Sequence, residues 1–352
     1  MAMPERWDPA GFKGRIDALL ADFVSEEAGR LLAVDEALRP VADQLRASVG
    51  HGKRLRAAFC YWGWRAAGQP DSDTMVRAAA SMELVHAAAI VHDDLIDDSP
   101  LRHHLPTAHM ALRSAVTGRP RANAAARSLA MLVGDHLMAL AGQLFATSGL
   151  PAAYLARARP MWGELARELI AGECLEILKS GTRPDTGVSL KVVRFKTAKY
   201  TVEHPLLIGG LLAGAARELR AGLSAYGLPL GEAFQLRDDL LGLFGETERT
   251  GKAALDDIRG HRPTALLAQA WESAGPGQRG QLALLLGRHD LDEGHLRRAR
   301  ELIRALKAPE QVEDMIASRV GEAVGHLDGL DLPGAARQAL TELARLATDR
   351  RH

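Results

Sequence analysis

Between its turn signals the chain is dominated by Ala and Leu, with polar positions interspersed at helical spacing and few β-branched or aromatic residues. Pattern and intrinsic propensity together predict helices almost everywhere, and so an all-α fold. The breaks fall at Gly68–Asp73, Ser148–Pro151, Ser180–Gly187, Gly275–Gly277 and Leu332–Gly334, where Gly, Pro and short polar residues cluster. None is long or polar enough to be an interdomain linker, and no fixed-period repeat or low-complexity tract interrupts the pattern, so residues 1–352 are read as one domain. Val188–Tyr200 alternates enough to suggest a strand. It lies within Lys-rich helical patterning and runs into an apolar helix from Pro205, and is read as helix.

Composition narrows the class. With 47% hydrophobic, 25% charged and 5% aromatic residues, disordered, collagenous and coiled-coil chains are excluded. The 44 Lys+Arg balance 44 Asp+Glu, which argues against a basic surface built for nucleic acid or an anionic membrane, so an anionic partner must be met by a local site. Cys60 and Cys174 have no CxxC or Cys/His metal spacing, which sets aside disulfide scaffolds and structural zinc and suits a reducing cytoplasm. The N-terminus mixes acids and bases before a short apolar pattern, unlike a secretory signal, and no uninterrupted apolar run reaches the ~20 residues of a membrane span.

Chemistry enters with the acids. In Val91-His92-Asp93-Asp94-Leu95-Ile96-Asp97-Asp98, helical spacing puts Asp93 beside Asp97 and Asp94 beside Asp98. Four carboxylates crowd one patch, no Lys or Arg stands among them, and each like-charge i,i+4 pair costs a few tenths of a kcal/mol. Mg²⁺, a hard cation usually held by one or two carboxylates and substrate phosphates, would relieve the repulsion. The preceding apolar run Ala87–Val91 marks a helix passing through a core, and an EF-hand is ruled out by the ligand spacing and the missing turn glycine. Phe234–Leu241 repeats the theme with Asp238-Asp239, but its i+4 position is Gly242. Facing each other across a cavity, the two clusters could grip a polyphosphate through bridging metal ions.

Fixed cations for such an anion are at hand. Gly50-His51-Gly52-Lys53-Arg54-Leu55-Arg56 leads a Gly-rich turn into a helix, with Lys53 and Arg56 on one face and backbone N–H groups accessible. Arg102 and Thr107 follow the first acidic cluster, and Lys196-Thr197 with Lys199 form a further basic spot. Lys252 follows the second cluster in a stretch that superficially resembles a phosphate loop but has the wrong spacing, with Ala253 where Ser or Thr belongs. His86 lies two turns before Asp93 on the same side, and Glu173 and Glu176 form an i,i+3 acidic pair.

The order of these elements resembles the trans-isoprenyl diphosphate synthase (polyprenyl synthetase) family from about Gly50 to Thr264. Gly50–Arg56 matches its GGKRLR-like turn, Glu83 and His86 its Glu-x-x-His segment, and Asp93, Asp94 and Asp97 its DDxxD motif. Lys196-Thr197 with Tyr200-Thr201 matches the KT and YT segment, and Phe234–Asp239 matches FQxxDD. The resemblance implies antiparallel helices around a deep central cavity, usually in a homodimer, and a prenyltransferase most like a bacterial geranylgeranyl diphosphate synthase. It implies that Asp93, Asp97 and Asp238 ligate Mg²⁺, three ions with substrate bound, supported by Asp94 and Asp239. Arg102, Lys196, Gln235 and Lys252 would hold the allylic diphosphate, Lys53, Arg56 and His86 the diphosphate of isopentenyl diphosphate, with Thr197 and Tyr200 near the developing charge.

The chain departs from the family pattern in places. His103 replaces the second arginine after the first motif, and a histidine is shorter, is not reliably charged at pH 7 and cannot make a bidentate fork, so weaker or pH-dependent acceptor binding is expected. Gly242 replaces the third aspartate of the second motif, Arg262 a common lysine and Glu173 a common glutamine. Ala88 and Ala89, four and five residues before Asp93, would sit one turn deeper and leave the cavity floor open, which in this family suggests a C20 or longer product. Rival readings are a class I terpene cyclase, a non-catalytic partner subunit and an irregular prenyl coupling.

Overall fold

The computed structural model describes residues 7–102, 104–245, 260, 262–286 and 290–349. Helices α1 (Pro9–Val34), α2 (Arg39–Val49), α3 (Leu55–Ala66) and α4 (Asp73–Ile96) lead to a two-stranded antiparallel hairpin, β1 (Leu101–Arg102) with β2 (Leu105–Pro106), in which Leu101 pairs with Pro106 and Arg102 with Leu105. Helices α5 (Ala108–Ala111), α6 (Ala122–Ala146), α7 (Ala152–Lys179) and α8 (Thr186–Val192) follow. The chain then widens into a π-helix over Val193–Glu203 before α9 (His204–Ala213) and α10 (Arg217–Phe244). The remaining helices among the described residues are α11 (Ala265–Ser273), α12 (Pro276–Leu286), α13 (Glu293–Ala305), α14 (Ala308–Asp328) and α15 (Gly334–Thr348). All five expected breaks coincide with connections between helices, and Val188–Tyr200 is helical, though from Val193 onward it has the wider π turn.

Side-chain oxygens that satisfy otherwise orphaned N–H groups set several helix starts: Asp8 on Ala10 and Gly11, Ser72 on Met75, Asp185 on Val188 and Thr264 on Leu267. The hairpin is the element that helical patterning does not foresee; Pro100 precedes it, Pro106 ends it, and Thr107 Oγ1 donates to Ser99 O at 2.7 Å to close its base.

Two apolar clusters form the interior. The larger gathers α1, α3, α4, α6, α9 and α15 around Phe59, Tyr61, Met82, Leu84 and Leu137; the smaller gathers α11–α14 around Leu236, Leu266, Ile303 and Val312. Helix α10 belongs to both, with Tyr226, Leu230 and Phe234 in the first and Leu236, Leu240 and Leu243 in the second. Helices α4 and α6 pass the length and hydropathy test for a membrane span, with 72% and 44% of the tested window buried within the fold. The expected absence of such a segment therefore holds only for uninterrupted apolar runs, because Ala- and Met-rich core helices with scattered polar residues are just as hydropathic on average.

The π-helix is the backbone feature that positions the site. Closing i to i+5 brings residues four and five apart onto one face, so Lys196, Thr197, Tyr200 and Thr201 project together. Glycines let two helices press on it. A Cβ at Gly172 of α7 would lie 2.3 Å from Lys196 N, and one at Gly231 of α10 would lie 2.5 Å from Ala198 O, so only glycine permits these approaches. The same two helices add ion pairs: Glu232 of α10 accepts from Arg194 Nε and Arg319 Nε, each at 2.8 Å, and Lys199 Nζ donates to Glu168 Oε2 of α7 at 2.8 Å.

Candidate active site

Helix α4 is buried along most of its length, yet His86, Ala89, Ile90, Asp93 and Asp97 keep partial exposure. These positions are spaced three and four apart, so an accessible stripe runs down one face of a core helix and ends in carboxylates. Arg102, reaching back from β1, clamps the pair at the top: its Nε donates to Asp94 Oδ1 at 2.8 Å and its Nη2 to Asp93 Oδ2 at 3.0 Å. Asp94 is buried and acts as the anchor, while Asp93 keeps its face to the stripe. Burial opposes the charge on Arg102, but Asp94 and Asp93 outweigh it and hold the guanidinium above its ordinary range.

Lys196 stands at the centre. Its Nζ lies 2.9 Å from Asp93 Oδ1 and 2.9 Å from Glu173 Oε2, and it is hydrogen-bonded to Glu176. Burial would strip its proton, yet Asp93, Glu176 and Glu173 overcome that and keep the ammonium well above the usual lysine range. Oxygens of Asp93, Glu173 and Glu176 all fall within 4.8 Å of one another, and Glu173 Oε1 is buried without a hydrogen-bond partner. Burial, opposed by Lys196 and reinforced by Asp93 and Glu176, raises the Glu173 carboxyl. A compact set of hard oxygen donors with one acceptor unsatisfied fits a divalent cation of the Mg²⁺ class. Asp97, hydrogen-bonded to Arg262, is pushed up to about 6 by burial first and by Asp93 next.

The second acidic pair is held differently. Thr197, next to Lys196 on the π-helix, donates from Oγ1 to Gln235 Oε1 at 2.7 Å; Gln235 Nε2 donates to Asp239 Oδ1 at 2.9 Å. The other oxygen of buried Asp239 accepts from Ala265 N at 3.0 Å, at the start of α11. Asp238 is half-buried one position earlier. Adjacent residues of one π-helix thus tie the α4 cluster to the α10 cluster.

The Gly50–Arg56 turn is braced from within. Gly52 takes a φ of +124° and Arg54 a left-handed +57°, and Arg54, buried, donates to Asp17 Oδ1 at 2.7 Å and to Val49 O at 2.5 Å. Glu83 Oε1 accepts from Ala57 N at 2.9 Å at the start of α3. Arg56 is buried, donates through Nη2 to Tyr200 Oη at 2.8 Å and Thr201 Oγ1 at 2.9 Å, and lies over the Tyr200 ring at 4.5 Å. Tyr200 Oη is 3.3 Å from His86 Nδ1. Burial, then Arg56, Arg102 and Arg54, hold His86 well below the ordinary histidine range and keep it neutral. Lys53 is exposed on the turn.

The structure therefore brings Asp93, Asp94, Asp97, Arg102, Lys196 and Arg262 into one charged cluster, with Thr197, Gln235 and Asp239 in a neutral-donor chain beside it and Arg56 with His86 around Tyr200. His103 and Lys252 lie outside the described residues. Among the two alanines, Ala89 lies on the accessible stripe, while Ala88 is fully buried and rotated about 140° from Asp93. The compact carboxylate group includes Glu173 and Glu176 beside Asp93, a larger part than an outlying acidic pair, and their i,i+3 spacing was the available signal. Arg54 and Glu83, which lie within motifs, act as braces here, and Asp17, which holds Arg54, lies outside every motif.

Against known proteins, the whole arrangement has close counterparts. The crystal structure of a geranylgeranyl pyrophosphate synthase from Corynebacterium glutamicum, complexed with isoprenyl diphosphate and magnesium, superposes with a TM-score of 0.92 at 33% identity, covering 98% of this chain and 100% of that one. The fold is thus that of the helical isoprenoid synthases. The family model for polyprenyl synthetase matches residues 39–303, and the chain belongs to that family and is a trans-prenyltransferase. It is 31% identical over 322 residues to a (2E,6E)-farnesyl diphosphate synthase of Mycobacterium tuberculosis, covering 90% of this chain and 83% of that protein. It is 30% identical over 307 residues to the octaprenyl diphosphate synthase of Escherichia coli, covering 86% and 87%.

Proposed function

We propose that the enzyme joins isopentenyl diphosphate to an allylic prenyl diphosphate, releasing inorganic diphosphate and a longer all-trans prenyl diphosphate, chiefly the C20 geranylgeranyl compound. The observation that carries this reading is the pair Lys196 and Thr197, adjacent on one π-helix and bonded to Asp93 and Gln235 of the two acidic segments. One side of the pair meets charge with charge and the other offers neutral donors, which suits a leaving group whose charge grows during reaction.

Asp93, Asp97 and Asp238, with Glu173 and Glu176 close by, would hold Mg²⁺, three ions with substrate bound. Bound there, the ions supply Lewis-acid neutralisation of the departing diphosphate. Arg102, Lys196 and Arg262, now paired with carboxylates, would turn to diphosphate oxygens, joined by Gln235 and Lys252. The allylic C–O bond breaks and its electron pair leaves with diphosphate. The isopentenyl double bond attacks the resulting carbocation, and one proton passes to the departing diphosphate. No side-chain nucleophile is required; orientation, fixed charge and exclusion of water carry the step. Lys53, Arg56, His86 and His103 would hold the acceptor's diphosphate, with neutral His86 donating a hydrogen bond through Tyr200 or directly. Ala89 would leave the floor below Asp93 open for the growing chain.

We read the chain as one domain, since α10 serves both apolar clusters, and as a homodimer joined through the exposed apolar residues of α6 and α7, Met131, Leu132, Ile170, Ile177 and Leu178. A cytoplasmic setting agrees with two free cysteines, one of them exposed. The test is a product assay of the purified chain with Mg²⁺, isopentenyl diphosphate and each allylic primer in turn, read by mass after dephosphorylation. A C20 alcohol is expected. Cyclic hydrocarbon from a primer alone, or no turnover by folded protein, would replace coupling with cyclisation or with a non-catalytic role.

A further inference from the structure

Charge is unevenly distributed in this neutral chain. From Ser99 to Gly134 there is no Asp or Glu but five arginines, while 39 basic residues face 44 acidic ones elsewhere. Two of the five are engaged: Arg102 in the site, and Arg127, which donates to Asp98 at 2.6 Å and to Leu95 O at 2.7 Å. Arg113, Arg119 and Arg121 are exposed and make no ion pair among the described residues. They lie on the short segment between α5 and α6, at the end of the bundle where α4 finishes and α6 begins. The α6 N-terminus, with its positive dipole end, starts directly after Arg121.

Apolar side chains are presented at the same end. Ile96, the last residue of α4, is 46% exposed, and Leu101 and Leu105 on the hairpin are 46% and 49% exposed. The hairpin is fixed and not free to tuck these leucines away, because Arg102 binds Asp93 and Asp94 and Thr107 closes its base. Guanidinium groups at the same end as outward leucines, in a stretch of 36 residues without an acid, match a surface that is negative outside and apolar just beneath.

We propose that this end of the molecule, formed by the hairpin and the Arg113–Arg121 segment, docks reversibly on an anionic lipid bilayer. The occupant is the bilayer surface, with arginines on phosphate headgroups and Leu101 and Leu105 in the headgroup–acyl boundary. Since Arg102 of this hairpin also clamps the aspartates, docking would hold the catalytic end against the phase into which a long-chain prenyl product partitions. That last consequence rests on the prenyl-coupling reading above; the docking itself does not.

The test is flotation of the full-length protein, without substrates, on vesicles of phosphatidylcholine containing about one third phosphatidylglycerol, compared with phosphatidylcholine alone. Binding to the anionic vesicles only, weakened by added salt, is expected. At roughly fivefold per arginine, the combined variant Arg113→Gln, Arg119→Gln, Arg121→Gln should lower the partition about 100-fold. Leu101→Ser with Leu105→Ser should lower it about tenfold. Both variants should melt as the parent does and keep its turnover of short, soluble primers. Absence of vesicle binding, equal binding to neutral vesicles, or an unchanged partition for the arginine variant would each overturn the proposal. So would a raised, salt-sensitive KM for isopentenyl diphosphate in the arginine variant without vesicle binding, which would make the patch a steering surface for small diphosphates.

Discussion

Asp93-Asp94 on α4 and Asp238-Asp239 on α10 are the same dipeptide at the ends of two core helices, and the fold divides the labour within each pair alike but between the pairs differently. In both, the second aspartate is buried and the first is half-exposed. On α4, the partners given by the geometry are cations: Arg102 on both residues and Lys196 on Asp93, with Arg262 on Asp97. Asp239 accepts hydrogen bonds from the Gln235 amide and the Ala265 backbone N–H. Movable cations can be exchanged for metal and substrate as charge arrives; an amide and a backbone N–H fix a carboxylate in place. The α4 wall carries cations that can change partners, and Asp239 has two fixed donors that cannot.

The largest consequence falls on turnover. Asp93→Asn and Asp238→Asn should each lower kcat by at least about 100-fold in protein that remains folded, because each removes a proposed metal ligand while keeping the size of the side chain. Near-normal kcat in either variant would break the comparison at its first term. Stability should separate the buried partners next. Asp94→Ala leaves the half-buried Arg102 guanidinium with Asp93 alone and opens a gap at a buried position, and should cost about 3 kcal/mol in urea unfolding. Asp239→Ala leaves an amide and a backbone N–H unsatisfied and should cost about 1–3 kcal/mol. Equal losses would mean that the two anchors are not held by different chemistry.

A smaller test lies within α4 itself. Ala89→Phe places bulk on the stripe that carries Asp93 and should shorten the product by one isoprene unit or more, read by mass. Ala88→Phe forces bulk into a fully buried site and should instead cost about 1–3 kcal/mol. A shortened product from Ala88→Phe in a protein as stable as the parent would move the floor to the other face of the helix.

Much of this was legible in the chain because its signals are local. Helix breaks follow Gly and Pro, and i,i+4 spacing puts Asp93 and Asp97 on one face without any tertiary information. The family resemblance, carried by five motifs in order, agrees with a family match over residues 39–303. What escaped depends on contacts distant in sequence. Glu83 supports α3 at Ala57, 26 residues away, and Arg54 reaches 37 residues back to Asp17. Whether Ala88 or Ala89 faces open space depends on how α4 is rotated against α6, which composition does not encode. The π-helix packs closely against Gly172 and Gly231 of two other helices, and single-segment propensity has no term for such contacts.

The smallest expected effect is a pH dependence of metal binding, and it should appear on the α4 wall. Burial and neighbouring Asp93 raise the Asp97 carboxyl to about 6, so in the metal-free protein it is half protonated near that pH. A cation binds the ionised form, and binding must therefore release a proton below pH 6 and almost none at pH 8. Affinity for Mg²⁺ alone, measured by calorimetry, should rise about tenfold from pH 5 to pH 7 and then level off, since a group with a pKa of about 6 goes from about one tenth to about nine tenths ionised over that span. Asp97→Asn should flatten that slope and weaken binding at pH 7, whereas Asp239→Asn should leave the slope in place because Asp239 is occupied by the Gln235 and Ala265 N–H donors. A slope that survives Asp97→Asn and vanishes with Asp239→Asn would reverse the assignment, making α10 the wall that exchanges its partners.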